Sequence, residues 1–253
     1  MRLLSLGILG IMISCSAPKF MGLAGKTFVS DQKKTLPYNI YYPDEYYQQN
    51  TKLPVLLWLH GAGERGDDNV SQLIHIVPYL ASDIVQSKFP SIIIAPQCPK
   101  EDYWAPVKRG EWTPVNQGQV TPAMKQVIQL MEQVLKDPKI DQNRIYVGGL
   151  SMGGFGTYDI LSRKPEWFAA AVPICGGADL SKVSTIKNIP LWIFHGAKDE
   201  VVTPELSRSL VKELRNLGVN PQYTEYENGG HDVWNRAIRE PELLKWLFEQ
   251  KGN

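Results

Sequence analysis

Near-continuous apolar runs recur along this chain and constrain its fold more than any other feature. They lie at residues 54–59, 91–95, 144–147, 169–174 and 190–194. Runs of this kind are typical of strands in a parallel sheet, because both faces of such a sheet are covered. Segments with helical periodicity separate the runs, and strands that alternate with helices predict a doubly wound α/β domain.

Two further strand signals lie at the edges of this pattern. Residues 26–30 and 36–42 are rich in Tyr, Ile and Val and flank a polar turn, so we expect an antiparallel pair. Residues 222–227 alternate between polar and apolar side chains, which favours an outer strand.

Helix boundaries are marked at several points. Thr121-Pro122 offers an N-cap followed by a proline at the first helical position. Thr203-Pro204 repeats that start signal, and Gly218 predicts the end of the same helix. We expect a closing helix at 240–250. Because no linker interrupts this order, we expect one domain over residues 21–253, with helices on both faces of a mostly parallel sheet.

The N-terminal segment, residues 1–20, differs in character. Arg2 precedes an apolar run at 3–13, which is shorter than the about 20 residues of a membrane-spanning helix. It fits a secretory signal peptide. Met12-Ile-Ser-Cys15 resembles the end of a bacterial lipoprotein signal with Cys15 as the lipidated residue; the alternative is a plain signal cleaved near Ala17. Both predict an exported protein: periplasmic or at the cell surface with a membrane anchor in the first case, and secreted in the second.

Cys98 and Cys175 would then face an oxidising compartment, where disulfides persist. Each follows an apolar run, and we expect the two strands three positions apart in the sheet, about 14 Å. A disulfide requires Cα atoms within about 7 Å. We therefore expect two buried free thiols, unless the loop after residue 98 folds back towards Cys175.

Charge and motif content limit the partners. The chain has 253 residues, 43% of them hydrophobic, and a formal net charge of +1, which argues against a nucleic-acid partner. No metal-ligand cluster or phosphate-binding loop stands out, so we expect neither a metal nor a cofactor. The oligomeric state is left open.

Residues 144–154 carry the main chemical signal. An apolar strand there runs into Gly149-Leu-Ser151-Met-Gly153, and a helix-compatible segment follows. The pattern Gly-x-Ser-x-Gly in a strand–turn–helix context presents the serine Oγ at the end of a sheet. The glycines lack the Cβ atoms that would collide with neighbouring backbone. Ser151 is therefore the candidate nucleophile.

To act as a nucleophile near neutral pH, a serine hydroxyl needs an adjacent base and a group that orients this base. Asp199 follows a buried strand and a Gly-containing turn, and its neighbour Glu200 is the competing acid. His231 comes after the acid in a Gly-rich turn beyond the last strand, and it is the candidate base.

The other three of the four histidines fit structural roles better. His60 and His195 end apolar strands before a glycine, where a hydrogen-bonded structural histidine is expected. His75 lies in a segment with helical character, where its side chain is expected to be satisfied or exposed.

An oxyanion formed on the attacked carbonyl needs two backbone N–H donors. Met152, directly after the nucleophile, supplies one. The second is expected from the Gly-rich loop at 60–66, with Ala62 as the choice and Gly63 as the alternative.

Four motifs together resemble the α/β-hydrolase superfamily: Leu-His-Gly-Ala-Gly-Glu at 59–64, Gly-Leu-Ser-Met-Gly-Gly at 149–154, His-Gly-x-x-Asp at 195–199 and Gly-Gly-His at 229–231. Within it they resemble the carboxylesterase branch with feruloyl esterases, acetylxylan esterases and polyhydroxybutyrate-depolymerase-like enzymes. The resemblance covers nearly all of residues 25–250.

The resemblance implies an α/β-hydrolase fold with its first two strands antiparallel, and a triad of Ser151, Asp199 and His231 that works through an acyl-enzyme. The same motifs match prolyl-oligopeptidase-like peptidases, so a serine peptidase is one alternative. A catalytically inert surface binding protein is the other.

The polar segment 98–119 is the candidate specificity loop, because it follows a strand whose end should face the site. Its Trp104, Arg109 and Trp112 would suit a small-molecule or polysaccharide ester with sugar or phenolic groups; alternatively, the tryptophans pin the loop to the core. Trp234, three residues after the base, either lines the pocket or braces the His231 loop.

Overall fold

The apolar runs converge in one central sheet in the computed structural model, which describes residues 22–108, 110–115 and 118–252. The strands are β1 (Leu23–Val29), β2 (Thr35–Tyr41), β3 (Leu53–Leu59), β4 (Ile92–Pro96), β5 (Val107–Lys108), β6 (Thr113–Pro114), β7 (Ile140–Leu150), β8 (Ala170–Ile174), β9 (Trp192–Gly196) and β10 (Gln222–Tyr226). The signal segment expected at 1–20, with Cys15, and Arg109 lie outside the described residues.

Within the described ranges, the main sheet has the order β1-β2-β4-β3-β7-β8-β9-β10. β1 pairs with β2, and β2 with β4, in antiparallel register, and the other neighbours are parallel. This confirms the predicted mostly parallel sheet with an antiparallel pair at its start. The short strands β5 and β6 pair separately within the 98–119 segment.

Helices connect most of the parallel strands. They are α1 (Val77–Leu80), α2 (Asp83–Gln86), α3 (Pro122–Val134), α4 (Met152–Arg163), α5 (Val183–Ile186), α6 (Glu205–Asn216), α7 (Trp234–Ala237) and α8 (Leu243–Glu249). Thr121 caps α3 as predicted, since its Oγ1 accepts the Met124 N–H at 3.2 Å. Gly218, with φ of +79°, follows the end of α6. His75 was predicted in a helix but lies in a bend between the 3₁₀ helix Ser71–Leu73 and α1.

Apolar side chains of the strands are buried on both faces of the sheet. Leu56 and Leu57 point to opposite faces, as successive strand residues must, and belong to two separate core clusters. One cluster includes α3, α4, α5 and α6, and the other includes α1, α2, α7 and α8. Helices on both faces are thereby confirmed. None of the described helices has the length and apolar character needed to cross a membrane.

Cys98 and Cys175 are both buried and both free, as predicted. Their strands, β4 and β8, are separated by β3 and β7 in the sheet. The spacing of neighbouring strands, about 4.8 Å, places them too far apart for a disulfide.

Candidate active site

A strained turn joins β7 to α4 at Ser151. Its backbone has φ of 53° and ψ of −118°, in the left-handed half of conformational space that residues with a Cβ rarely adopt. Close backbone contacts hold the turn: a Cβ on Gly153 would lie 1.9 Å from the Leu59 carbonyl oxygen, and one on Gly149 would lie 2.4 Å from the Gly153 carbonyl oxygen. Glycine is therefore required on both sides of Ser151.

Three side chains from separate loops meet at this turn. His231 Nε2 lies 2.8 Å from Ser151 Oγ, and His231 Nδ1 lies 2.7 Å from Asp199 Oδ2. Because a carboxylate only accepts, Nδ1 carries the proton and Nε2 is free to accept the serine hydroxyl. Ser151 and Asp199 are each 6% exposed. The structure thus brings together the three residues predicted from the motif order.

Asp199 is held by several donors. Its Oδ1 accepts the N–H groups of Val201 and Val202, both at 2.9 Å. Burial alone would raise the pKa of Asp199, but hydrogen bonds from His195 and His231 hold it well below its usual range. The competing acid, Glu200, is exposed.

The loop after β3 packs beside the nucleophile. Ala62 is the first residue of the 3₁₀ helix Ala62–Glu64, and Met152 is the first residue of α4. The first N–H groups of a helix have no partner inside the helix, so both amides can donate to a ligand. A Cβ on Gly61 would lie 2.8 Å from Leu150 Cδ1, which brings this loop against the strand end that carries Ser151.

His60 has a structural environment, as predicted from its position. Its Nε2 accepts the Cys98 N–H at 2.9 Å, so its Nδ1 proton goes to the Gly61 carbonyl oxygen at 2.6 Å. Burial lowers the pKa of His60 to about 4.

The two tryptophans of the 98–119 segment differ in burial. Trp104 is 0% exposed, and its Nε1 donates to the His60 carbonyl oxygen at 3.0 Å. This burial favours the interpretation in which Trp104 pins the loop to the core. Trp112 is half-buried, with its ring 5.9 Å from that of Phe155 on α4.

Trp234 stands between two histidines near the site. Its ring lies 5.5 Å from that of His231 and 5.3 Å from that of His75. His75 Nε2 is in turn 3.4 Å from Glu64 Oε1. Trp234 therefore braces the His231 loop against the Glu64 loop, and it is partly exposed.

Sequence reasoning missed the contact of His195 with Asp199. Among the described residues, Cys175, His195 and Asp199 place atoms of metal-ligand type within 4.8 Å of one another. The nitrogens of His195 and the oxygens of Asp199 already make hydrogen bonds, so we interpret this cluster as support for the acid. The i, i+4 spacing in His-Gly-x-x-Asp is the signal that could have revealed the contact.

Comparisons with known proteins agree with this geometry. A family model described as Phospholipase/Carboxylesterase matches residues 47–242. A crystal structure of a thermostable esterase is 38% identical with a TM-score of 0.82, over 91% of this chain and 63% of that one. The two fractions mean that this chain spans less than two thirds of that esterase.

Two curated proteins are also similar. The bifunctional acetylxylan esterase/xylanase XynS20E of Neocallimastix patriciarum is 32% identical over 91 residues, which is 36% of this chain and 13% of that protein. A probable carboxylesterase of Oryza sativa subsp. japonica is 27% identical over 199 residues, which is 73% of this chain and 83% of that protein.

Proposed function

The chain belongs to the Phospholipase/Carboxylesterase family, and on that premise we propose that it hydrolyses carboxylic esters with Ser151, His231 and Asp199. The observation that carries the proposal is the continuous pair of hydrogen bonds, 2.8 Å and 2.7 Å long, from serine to imidazole to carboxylate. The strained backbone of Ser151, at the start of a helix and the end of the sheet, supports the same role.

The proposed reaction follows from these contacts. His231 Nε2 takes the proton of Ser151 as Oγ attacks the acyl carbon, and Asp199 stabilises the imidazolium that forms. The amides of Met152 and Ala62 donate to the oxyanion of the tetrahedral intermediate. The alcohol leaves with the proton from His231, and water then repeats the sequence on the acyl-enzyme.

We further propose a small-molecule or polysaccharide ester as the substrate. The acetylxylan esterase relative supports the polysaccharide, and the half-buried Trp112 and Trp234 offer aromatic faces near the site. Export, with a signal segment at 1–20, a catalytic domain at 21–253 and an anchor at Cys15, is proposed from the N-terminal sequence alone.

The decisive test is Ser151→Ala. We expect turnover of short p-nitrophenyl esters to fall by at least about 10⁴-fold, because loss of the nucleophile leaves only background catalysis. Ser162→Ala is the matched control: it lies on α4, the helix that follows Ser151, and its Oγ donates to the Asp159 carbonyl oxygen at 2.8 Å. Ester turnover that survives Ser151→Ala would overturn the proposal.

A substrate panel then separates the alternatives. Acetylated sugars, feruloyl esters and short aryl esters are compared by kcat/KM, together with peptide anilides of matched acyl groups. Preferential cleavage of acetylated sugars would support the polysaccharide substrate. Faster cleavage of the anilides would assign a peptidase instead.

A further inference from the structure

Two imidazoles converge on one carboxylate oxygen in this site. Asp199 Oδ2 lies 2.7 Å from His231 Nδ1 and 3.3 Å from His195 Nε2. We propose that His195, held by Ser207, is a positioning residue that shares this oxygen with the catalytic histidine and so sets the basicity of His231. The proposal rests on the proposed function of the triad.

The proton of His195 is placed by its neighbours. Nε2 lies 2.9 Å from the Val202 carbonyl oxygen, which can only accept, so Nε2 carries a hydrogen in every charge state. Its hydrogen bond goes to the Val202 carbonyl, and Asp199 Oδ2 lies beside it, 3.3 Å from Nε2. The other nitrogen, Nδ1, lies 2.7 Å from Ser207 Oγ on α6. Ser207 and Val202 thereby fix the imidazole ring from both sides and keep its Nε2–H beside the acid.

Burial strengthens the effect of the His195 N–H on Asp199. The side chains of His195 and Asp199 are both 0% exposed, so water does not replace a lost hydrogen bond. A hydrogen bond to a charge is stronger in such a low-dielectric interior than in water. Each N–H dipole beside Oδ2 offsets part of the negative charge of the carboxylate. The attraction of Asp199 for the proton on His231 is therefore weaker than it would be with one N–H alone.

The turn between His195 and Asp199 is shaped for this contact. A Cβ on Gly196 would lie 2.1 Å from the Gly230 carbonyl oxygen, so only glycine lets the turn lie against the His231 loop. The Lys198 N–H also donates to the Gly229 carbonyl oxygen at 2.8 Å. The acid turn and the base loop are therefore held as one unit, with His195 beneath them.

Other titratable groups surround this unit. They are Cys175 after β8, Glu225 opposite His195 on β10 with its partner Arg208 on α6, Asp232 beside the base, and the Glu64–His75 pair beyond Trp234. None of the hydrogen bonds described for His231 comes from these groups; its two ring nitrogens contact Ser151 and Asp199. Hence the shared oxygen is the direct route by which a second histidine affects His231.

The test compares His195→Phe with wild type. At a pH on the acidic limb, we expect kcat on a short aryl ester to fall by up to about tenfold, with little change in KM, because a limb displaced by about one pH unit leaves about a tenth as much unprotonated base. Loss of the His195 N–H strengthens the hold of Asp199 on the His231 proton. Because the base must be unprotonated, the acidic limb of kcat/KM moves to higher pH, by about one pH unit.

Three variants keep the test sharp. His195→Gln retains a side-chain N–H and should restore part of the pH profile. Ser207→Ala removes only the remote partner and should move the limb in the same direction by less. Tyr146→Phe is the matched control, since it removes a hydroxyl of another buried side chain, one that donates to the Gln250 carbonyl oxygen at 2.8 Å, away from the triad; its profile should match wild type.

A second measurement does not depend on turnover. The pKa of His231 is followed by NMR titration of its ring protons in wild type and in His195→Phe, and the number of active sites is counted with a fluorophosphonate. An upward displacement of this pKa in His195→Phe supports the proposal. An unchanged pKa, with activity lost only in proportion to active sites, would overturn it. Absence of ester turnover in wild type would instead overturn the proposed function.

Discussion

The dipeptide His-Gly occurs at the ends of two buried strands of this molecule, and its histidine has a different role at each. His60-Gly61 follows β3, and His195-Gly196 ends β9. Both histidines are buried, with 2% and 0% of their surface exposed. The hydrogen bonds of His60 go to backbone, through the Gly61 carbonyl and the Cys98 amide, and the carboxylate of Glu64 lies 4.0 Å from its Nδ1. His195 lies closer to an acid, with its Nε2 3.3 Å from the carboxylate of Asp199.

The difference shows that the turn after the dipeptide determines the role of the histidine. After Gly61 the chain enters a 3₁₀ helix that begins at Ala62, the proposed oxyanion donor, so His60 lies directly before the proposed backbone donor. After Gly196 the chain turns back and places Asp199 over the imidazole, so His195 supports a charge. The end of β3 therefore positions the proposed backbone donor, and the end of β9 positions the charged carboxylate.

Alanine at the two glycines of the dipeptides should separate the two strand ends by the widest margin. A Cβ on Gly196 would lie 2.1 Å from the backbone oxygen of Gly230, whereas the short contacts of a Cβ on Gly61 would be with side-chain atoms of Leu150 and Glu64, at 2.8 and 2.9 Å. Gly196→Ala displaces the His231 loop, and we expect kcat/KM to fall more than about a hundredfold. Gly61→Ala should cost less, because side chains can move.

The kcat/KM of both variants is measured on one aryl ester, with circular dichroism as the check of folding. Gly252→Ala serves as the control, since its Cβ would meet nothing closer than 3.6 Å. Equal losses for Gly61→Ala and Gly196→Ala would remove the distinction between the two strand ends.

A smaller effect concerns acid stability at the β3 end. Burial lowers the pKa of His60 to about 4. The unfolded chain binds this proton below about pH 6.5 and the folded chain only near pH 4, so the free energy of unfolding declines as the pH falls through that window, by about 3 kcal/mol in total. The stabilisation is complete above that window.

Urea unfolding across this pH range should give a shallower decline for His60→Gln than for wild type. The difference between the two slopes isolates His60 from the carboxylates, which contribute to both proteins. Parallel slopes would contradict the structural role assigned to His60.

The smallest effect is expected at Glu200, next to the acid. Glu200 is exposed, so Glu200→Gln should leave kcat/KM within about twofold of wild type. Asp199→Asn, its matched neighbour, should lose at least about 10³-fold, because the amide favours the wrong tautomer of His231. Similar losses of kcat/KM in both variants, measured on the same ester, would make Glu200 a candidate for the catalytic acid again.

Much of the fold was predictable, because the order of strands and helices along the chain can be deduced from the pattern of apolar residues within each segment. The apolar runs predicted the parallel strands, and the motifs predicted the α/β-hydrolase fold that the family match and the thermostable esterase confirm. β7 was predicted from residue 144 but begins at Ile140. The polar residues 141–144 resemble a turn, yet Arg144 pairs with Asp141 at 2.7 Å along the strand.

The site was predictable to a lesser extent. Chain order pointed to Ser151, Asp199 and His231, which the structure brings together. The contact of His195 with Asp199 could not be predicted from the alternation of strands and helices, since it depends on how one turn folds back. Helices of four residues, such as α7 (Trp234–Ala237), are too short to show a period.

The two buried cysteines give each strand end its own chemical reporter. The Cys98 amide donates to His60, and the Cys175 thiol lies within 4.8 Å of the facing atoms of His195 and Asp199. Burial raises the pKa of both thiols, and only the thiolate reacts with alkylating reagents. The rate of alkylation at position 98 therefore reports how often the oxyanion loop opens. The rate at position 175 reports how often the acid turn opens, and neither measurement requires an introduced probe.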